Sequence, residues 1–319
     1  MTQTPATLIG VPLDLGAKNL GVDIGPDAFR YQHLTSKLQA SGFDLEDAGN
    51  IAVAARETLE VGNPRLKYLD EIVRVNEALA TRTEQAVQAG RKAIVIGGDH
   101  SLNLGAFSGA AAGLAARASG GAGQLGLIYF DAHGDMNTDA TTLSGNIHGM
   151  HLASLMGFGA PELVNVHGQG AKLAHQNLLH IGGSDWDQAE LDLINRENLN
   201  AFTLFDVLTK GLGALCSEID QLAARVPNVW ISLDLDAIDR IYAPGAGMPN
   251  SKGLTYREIA TLAHYIGQKC NVIGIDVVEY NPLQDEQNKT AELGIELIAT
   301  FLGHEYSWYS NYMDSNKLD

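Results

Sequence analysis

Residues 125–135 read LGLIYFDAHGD, six apolar residues followed by an aspartate, a histidine and a second aspartate at every other position. A short, continuous apolar run marks a strand buried on both faces, as strands of a parallel sheet are. Comparable runs predict strands at 7–11, 93–96, 178–181, 229–233 and 272–277, with a weaker one at 201–204. Between them, helical periodicity predicts helices over 26–40, 65–89, 187–195, 206–225, 255–268 and 286–302, and the alanine-rich stretch 110–118 reads as a close-packed helix. This alternation predicts an α/β fold, a three-layer α/β/α sandwich with a mostly parallel central sheet. No linker or shift in composition divides the chain, so one domain is expected over 1–304, with a polar and aromatic tail over 305–319. Gly121, Gly123 and Gly126 match a GxGxxG pattern, but they precede a strand instead of following one, so the pattern is read as a loop and not a dinucleotide site.

The composition narrows the partners. The chain has 319 residues, 45% hydrophobic and 18% charged, which fits a globular protein and excludes extended disorder. Its 21 Lys and Arg against 38 Asp and Glu give a net charge of -17, which argues against nucleic acid or an anionic membrane as a partner and favours cations. Cys216 and Cys270 stand far apart in no metal or disulfide spacing, which fits a reducing compartment. With no signal-like start and no long apolar run, the expected location is cytoplasmic.

In an open parallel sheet, ligands bind beyond the carboxyl ends of the strands. Four of the predicted strands end in chemistry there: GGDHS at 97–101, DAHGD at 131–135, SLDLD at 232–236, and Glu279 after VIGIDVV. Alternate residues of an extended segment point the same way, so Asp131, His133 and Asp135 can converge, as can Asp234 and Asp236, and His100 completes six donors. Any one of these motifs could be a turn or a helix cap. Four carboxylates gathered at one sheet edge would repel unless cations lay between them, and two divalent ions bring the needed charge. Oxygen-rich ligation with one imidazole per ion points to manganese before zinc.

At GGDHS, DAHGD and SLDLD the chain resembles the ureohydrolase (arginase and agmatinase) family, nearest to arginases of the bacterial type, and the similarity extends from IGVPLDLG near the start to about Phe301. The resemblance implies two Mn2+ per subunit, with His100 and Asp135 on one ion, His133 and Asp236 on the other, and Asp131 and Asp234 bridging. The loop at 144–149, SGNIHG, is similar to the arginase branch, which implies that Asn137, Ser144 and Asn146 hold the α-carboxylate of L-arginine and that Asp187 helps hold its α-amino group. It further implies that Glu279 anchors the guanidinium, that Asp135 handles the proton of the attacking water, and that His148 shuttles protons to solvent. The implied reaction is hydrolysis of L-arginine to L-ornithine and urea in a homotrimer or homohexamer, with Arg257 and Glu258 at intersubunit contacts. Met248, near the pocket, and Arg240 and Ser184 depart from the family pattern and bear on substrate choice. A ureohydrolase for agmatine or a guanidino acid, and a non-catalytic metal-binding homologue, are the alternatives.

Overall fold

A computed structural model describes residues 3–117 and 125–306. Among the described residues eight strands form one sheet: β1 Thr4–Val11, β2 Phe43–Asn50, β3 Lys92–Gly97, β4 Leu125–Phe130, β5 Leu178–Ile181, β6 Ala201–Phe202, β7 Asn228–Asp234 and β8 Val272–Val278. Their order is β2-β1-β3-β8-β7-β4-β5-β6, and every ladder is parallel. The helices are α1 Gly25–Tyr31, α2 Leu34–Ala40, α3 Leu69–Gln88, α4 Asn103–Arg117, α5 His151–Leu155, α6 Pro161–Val164, α7 Gln188–Glu197, α8 Leu204–Arg225, α9 Tyr256–Lys269 and α10 Lys289–Phe301.

Strand periodicity separates two cores, one on each side of the sheet. On β4, Ile128 and Phe130 face the core closed by α1, α2, α8, α9 and α10, whereas Leu127 and Tyr129 face the core closed by α3, α4, α5 and α6. Both faces are therefore covered, as a parallel sheet requires.

The sequence reading differs from the structure at several places, among them the unexpected short helices α5 and α6 and an α4 that begins at Asn103, ahead of the expected 110–118. β2 was not expected, because FDLEDAGN is acidic and only Phe43 and Leu45 turn inward; as an edge strand it buries one face and exposes the other. The helix expected over 26–40 is two helices, broken where His33 adopts a left-handed backbone with φ 60°. The helix expected from 65 begins at Leu69, after Tyr68 at φ 55°. Cys216 and Cys270 are both free. Gly126 lies within β4, while Gly121, Gly123 and the tail from 307 onward fall outside the described residues.

The strand order places the site. β3, β8, β7 and β4 are neighbours at the centre of the sheet, so the segments that follow them emerge side by side at the carboxyl edge. Behind this edge, α3 and α4 pack at close range because glycines line the contact. A Cβ at Gly109 would stand 2.2 Å from the Ala80 carbonyl oxygen. Gly109→Val is expected to lower the unfolding free energy by about 2 kcal/mol, read as a lower denaturant midpoint at unchanged slope.

Candidate active site

His100, in the turn after β3, is fixed from behind by a buried relay. Its Nε2 lies 2.8 Å from the Ser232 hydroxyl, and that hydroxyl donates to Asp276 Oδ1 at 2.6 Å. Trp230 Nε1 and Asn103 Nδ2 donate to the other oxygen of Asp276 at 2.5 and 2.8 Å. Since Ser232 spends its hydrogen on Asp276, His100 Nε2 carries a hydrogen and Nδ1 is directed into the site. The sequence reading missed this relay, although an aspartate inside the apolar run VIGIDVV was a visible signal for it.

His100 Nδ1 faces Asp131 Oδ2 at 3.0 Å, Asp234 Oδ2 at 3.3 Å and Asp135 Oδ2 at 3.4 Å. His133 Nδ1 faces Asp236 Oδ2 at 3.0 Å and Asp131 Oδ1 at 3.4 Å. Asp131 thus gives one oxygen to each group. Asp234 gives Oδ2 to the first group, and its Oδ1 accepts the Asp236 backbone N–H at 2.8 Å. Ligand atoms close enough for one ion occur in His100–Asp131–Asp234, in Asp131–His133–Asp236 and in His100–Asp135–His151. The four aspartates are buried, and Asp135 holds its place with a left-handed backbone at φ 52°, a strain typical of functional positions.

The electrostatics show what this arrangement demands. Burial pushes Asp236 up to about 6, reinforced by the charge of Asp131, and burial with the charges of Asp236 and Asp131 raises Asp234 well above the usual carboxylate range. Burial opposes ionisation of Asp131 too, but its hydrogen bonds with His100 and His133 prevail and hold it well below that range. The two imidazoles are raised in turn, each by aspartates that outweigh its burial. Were all four carboxylates ionised, two imidazolium protons would leave two buried negative charges uncompensated, which is why Asp234 and Asp236 are driven toward protonation. Divalent cations fit this oxygen-rich set with one imidazole per group.

Around this core the expected substrate residues assemble in two places. Asn137 donates to Asp187 Oδ2 at 2.7 Å, and Asp187 also caps α7 through the Glu190 N–H. The Asn137 N–H bonds the Gly149 carbonyl, which draws the loop 144–149 against it. In that loop Ser144 accepts the Asn146 N–H, and Lys67, missed by the sequence reading, donates to Asn146 Oδ1 at 3.2 Å. Glu279, buried at φ 60°, accepts the His100 N–H at 3.1 Å and stands 3.4 Å from His148 Nδ1. Burial would lower His148, but the Glu279 carboxylate beside it pushes it up to about 9, above the ordinary histidine range expected of a shuttle near neutrality.

A cavity of about 330 Å³ opens over the site, lined by His133, Asp185, Met248 and Asn250 among others. Of the three departures, Met248 lines this cavity, Ser184 bonds Asn250 on its wall, and Arg240 lies exposed outside it. The backbone at Gly247 leaves room for Glu279, since a Cβ there would lie 2.3 Å from Oε2. Glu258 serves the N-terminal cap of α9 through Thr255. A larger cavity of about 680 Å³ lies at the opposite, amino-terminal edge of the sheet, lined by Lys92, Leu125 and Asn228, with no carboxylate in its lining among the described residues. The described residues include no helix long and apolar enough to cross a membrane.

The family described as the arginase family matches residues 4–303. The arginase of Bacillus caldovelox is 38% identical over 303 residues, which cover 94% of this chain and 99% of that protein. The arginase of Brevibacillus brevis is 39% identical over 93% of this chain and 97% of its own length. The solved structure of the Bacillus caldovelox arginase superposes with a TM-score of 0.89, covering 96% of this chain and all of that one. The Entamoeba histolytica arginase, solved with L-ornithine, is 27% identical with a TM-score of 0.85, covering 95% of this chain and 100% of that one.

Glu279→Gln removes the charge that raises His148. The His148 ring resonance in NMR is expected to titrate near 9 in the wild type and to move down toward about 6.5 in the variant, so that His148 at pH 7 changes from charged to partly neutral.

Proposed function

This chain belongs to the arginase family, and from that premise we propose that it hydrolyses L-arginine to L-ornithine and urea with two Mn2+ per subunit. The observation that carries the proposal is the convergence of His100, Asp131, His133, Asp135, Asp234 and Asp236 with buried negative charge left over for cations. Under this reading His100, Asp131, Asp135 and Asp234 would hold one ion, and Asp131, His133, Asp234 and Asp236 would hold the other. When bound, divalent cations would lower the pKa of water and so supply the nucleophile at neutral pH.

The chain's own residues do the rest. Glu279, fixed by the His100 N–H, takes the guanidinium through charge-assisted hydrogen bonds. Once the substrate occupies Glu279, the charge that raises His148 is shared, and His148 moves toward the range in which it exchanges protons with solvent. Asp135 carries the proton of the attacking water to the departing amine. Asn137, Ser144 and Asn146 receive the α-carboxylate, helped by Lys67 beside Asn146, and Asp187 receives the α-amino group. This pairing of a cationic and an anionic contact favours arginine over agmatine, which lacks the carboxylate.

The residues 1–304 act as one catalytic domain in this reading, assembled as a homotrimer or homohexamer in the cytoplasm. Its two free cysteines fit a reducing compartment. The small guanidino substrate is the only ligand class proposed besides the metal.

Urea release by the manganese-loaded protein is expected from L-arginine, with kcat/KM for agmatine lower by at least about a hundredfold. Asp131→Ala is expected to abolish turnover and His148→Ala to lower it by about a hundredfold. Turnover of agmatine or a guanidino acid in preference to arginine would overturn the substrate assignment.

A further inference from the structure

Tyr129 and His151 were not among the expected site residues, yet both lie buried inside the first cation subsite. Tyr129 precedes Asp131 by two residues on β4 and so points to the same face. Its hydroxyl oxygen stands 2.8 Å from Asp135 Oδ2, 2.9 Å from Asp131 Oδ2, 3.1 Å from His100 Nδ1 and 3.1 Å from His151 Nε2. A phenol has one hydrogen to give, so at most one of these four neighbours can accept it.

The neighbours decide which. His151 Nδ1 lies 2.6 Å from the His148 carbonyl oxygen, which can only accept, so Nδ1 carries the ring hydrogen and Nε2 presents a lone pair to Tyr129. Under the two-cation reading Asp131, Asp135 and His100 Nδ1 are taken up by the ion, and although His151 lies within ligand distance of the same subsite, Tyr129 is the donor before its Nε2 among the described residues. With the ion in place the phenol hydrogen goes to His151, whereas without it the hydroxyl donates to Asp131 or Asp135. The lone pairs of the phenol oxygen then face the subsite shared by Asp131, Asp135 and His100 Nδ1, where a cation would take one of them. The spacings of 2.8–3.1 Å match those of adjacent donors on one six-coordinate ion, which stand ~3 Å apart for bonds of ~2.1 Å.

We propose that Tyr129 supplies a further oxygen donor to the cation held by His100, Asp131, Asp135 and Asp234, and that His151 is the positioning residue that takes the phenol hydrogen and turns its lone pairs inward. This rests on the two-cation reading above. His151 also ties that subsite to the loop of His148, through the carbonyl it holds. The Tyr129 ring stacks flat on His100, with centroids 4.9 Å apart and planes 4° from parallel, so Tyr129→Phe keeps the packing and removes the oxygen alone.

Manganese titration followed by EPR of the free ion, with metal content after desalting, tests the assignment. The wild type is expected to retain two ions, and Tyr129→Phe to bind one of them about tenfold or more weakly while the other is unchanged. His151→Ala is expected to weaken the same ion, and His151→Gln, which returns an acceptor, to recover part of the loss. Loaded with cobalt(II), Tyr129→Phe is expected to show stronger visible bands as the coordination number falls, and its kcat to return at excess manganese with KM unchanged. A wild type that binds no divalent metal would overturn the two-cation reading and this inference together. A wild type that binds two ions and hydrolyses arginine beside a Tyr129→Phe with identical affinities and cobalt spectrum would overturn this inference alone.

Discussion

The carboxyl groups of Asp131, Asp135, Asp234 and Asp236 are taken out of water within a few ångströms of one another, and the protein's own counter-charge there is two imidazoles. Like charges so placed can persist only by protonating or by sharing cations. The raised Asp234 and Asp236 show the first tendency, and the inward Nδ1 of His100 shows that the surroundings are organised for the second. Much of the fold can be understood as the scaffold for this concentration of charge. The strand order sets β3, β8, β7 and β4 side by side, and the relay through Ser232 and Asp276 holds one imidazole in a fixed tautomer from within the sheet.

The same constraint links the metal site to the substrate site. Glu279 follows β8, fixes the backbone of His100 and raises His148, so the group proposed to hold the guanidinium already touches both the cation cluster and the proton carrier. Binding of a cationic substrate at Glu279 would then change the charge on His148 without movement of the chain. His151, three residues on, closes a second connection through the His148 carbonyl to Tyr129 and the carboxylates.

The readable part of this architecture was the part written as contiguous pattern. Apolar runs ending in DAHGD and SLDLD place a buried strand and its ligands in one segment, and period two aligns the ligands on one side. Tyr129 obeys that same period and could have been found from its spacing to Asp131. Other features are not local. β2 hides because an edge strand needs only Phe43 and Leu45 to face inward, so its acidic residues read as loop. The break at His33 has no glycine or proline to announce it, since a left-handed backbone was accommodated there by a residue that rarely signals one. The Asn137–Asp187 and Lys67–Asn146 contacts join residues about fifty and eighty apart, and only the packed loops bring them together.

Two divalent cations are proposed to occupy the space enclosed by these carboxylates. Anomalous diffraction at the manganese edge from crystals of the manganese-loaded protein measures this most directly. Two peaks are predicted, one among His100, Asp131, Asp135 and Asp234 and one among Asp131, His133, Asp234 and Asp236, with Asp131 and Asp234 common to both. A single peak, or density for manganese elsewhere with these carboxylates bonded only to protons and water, would contradict the account.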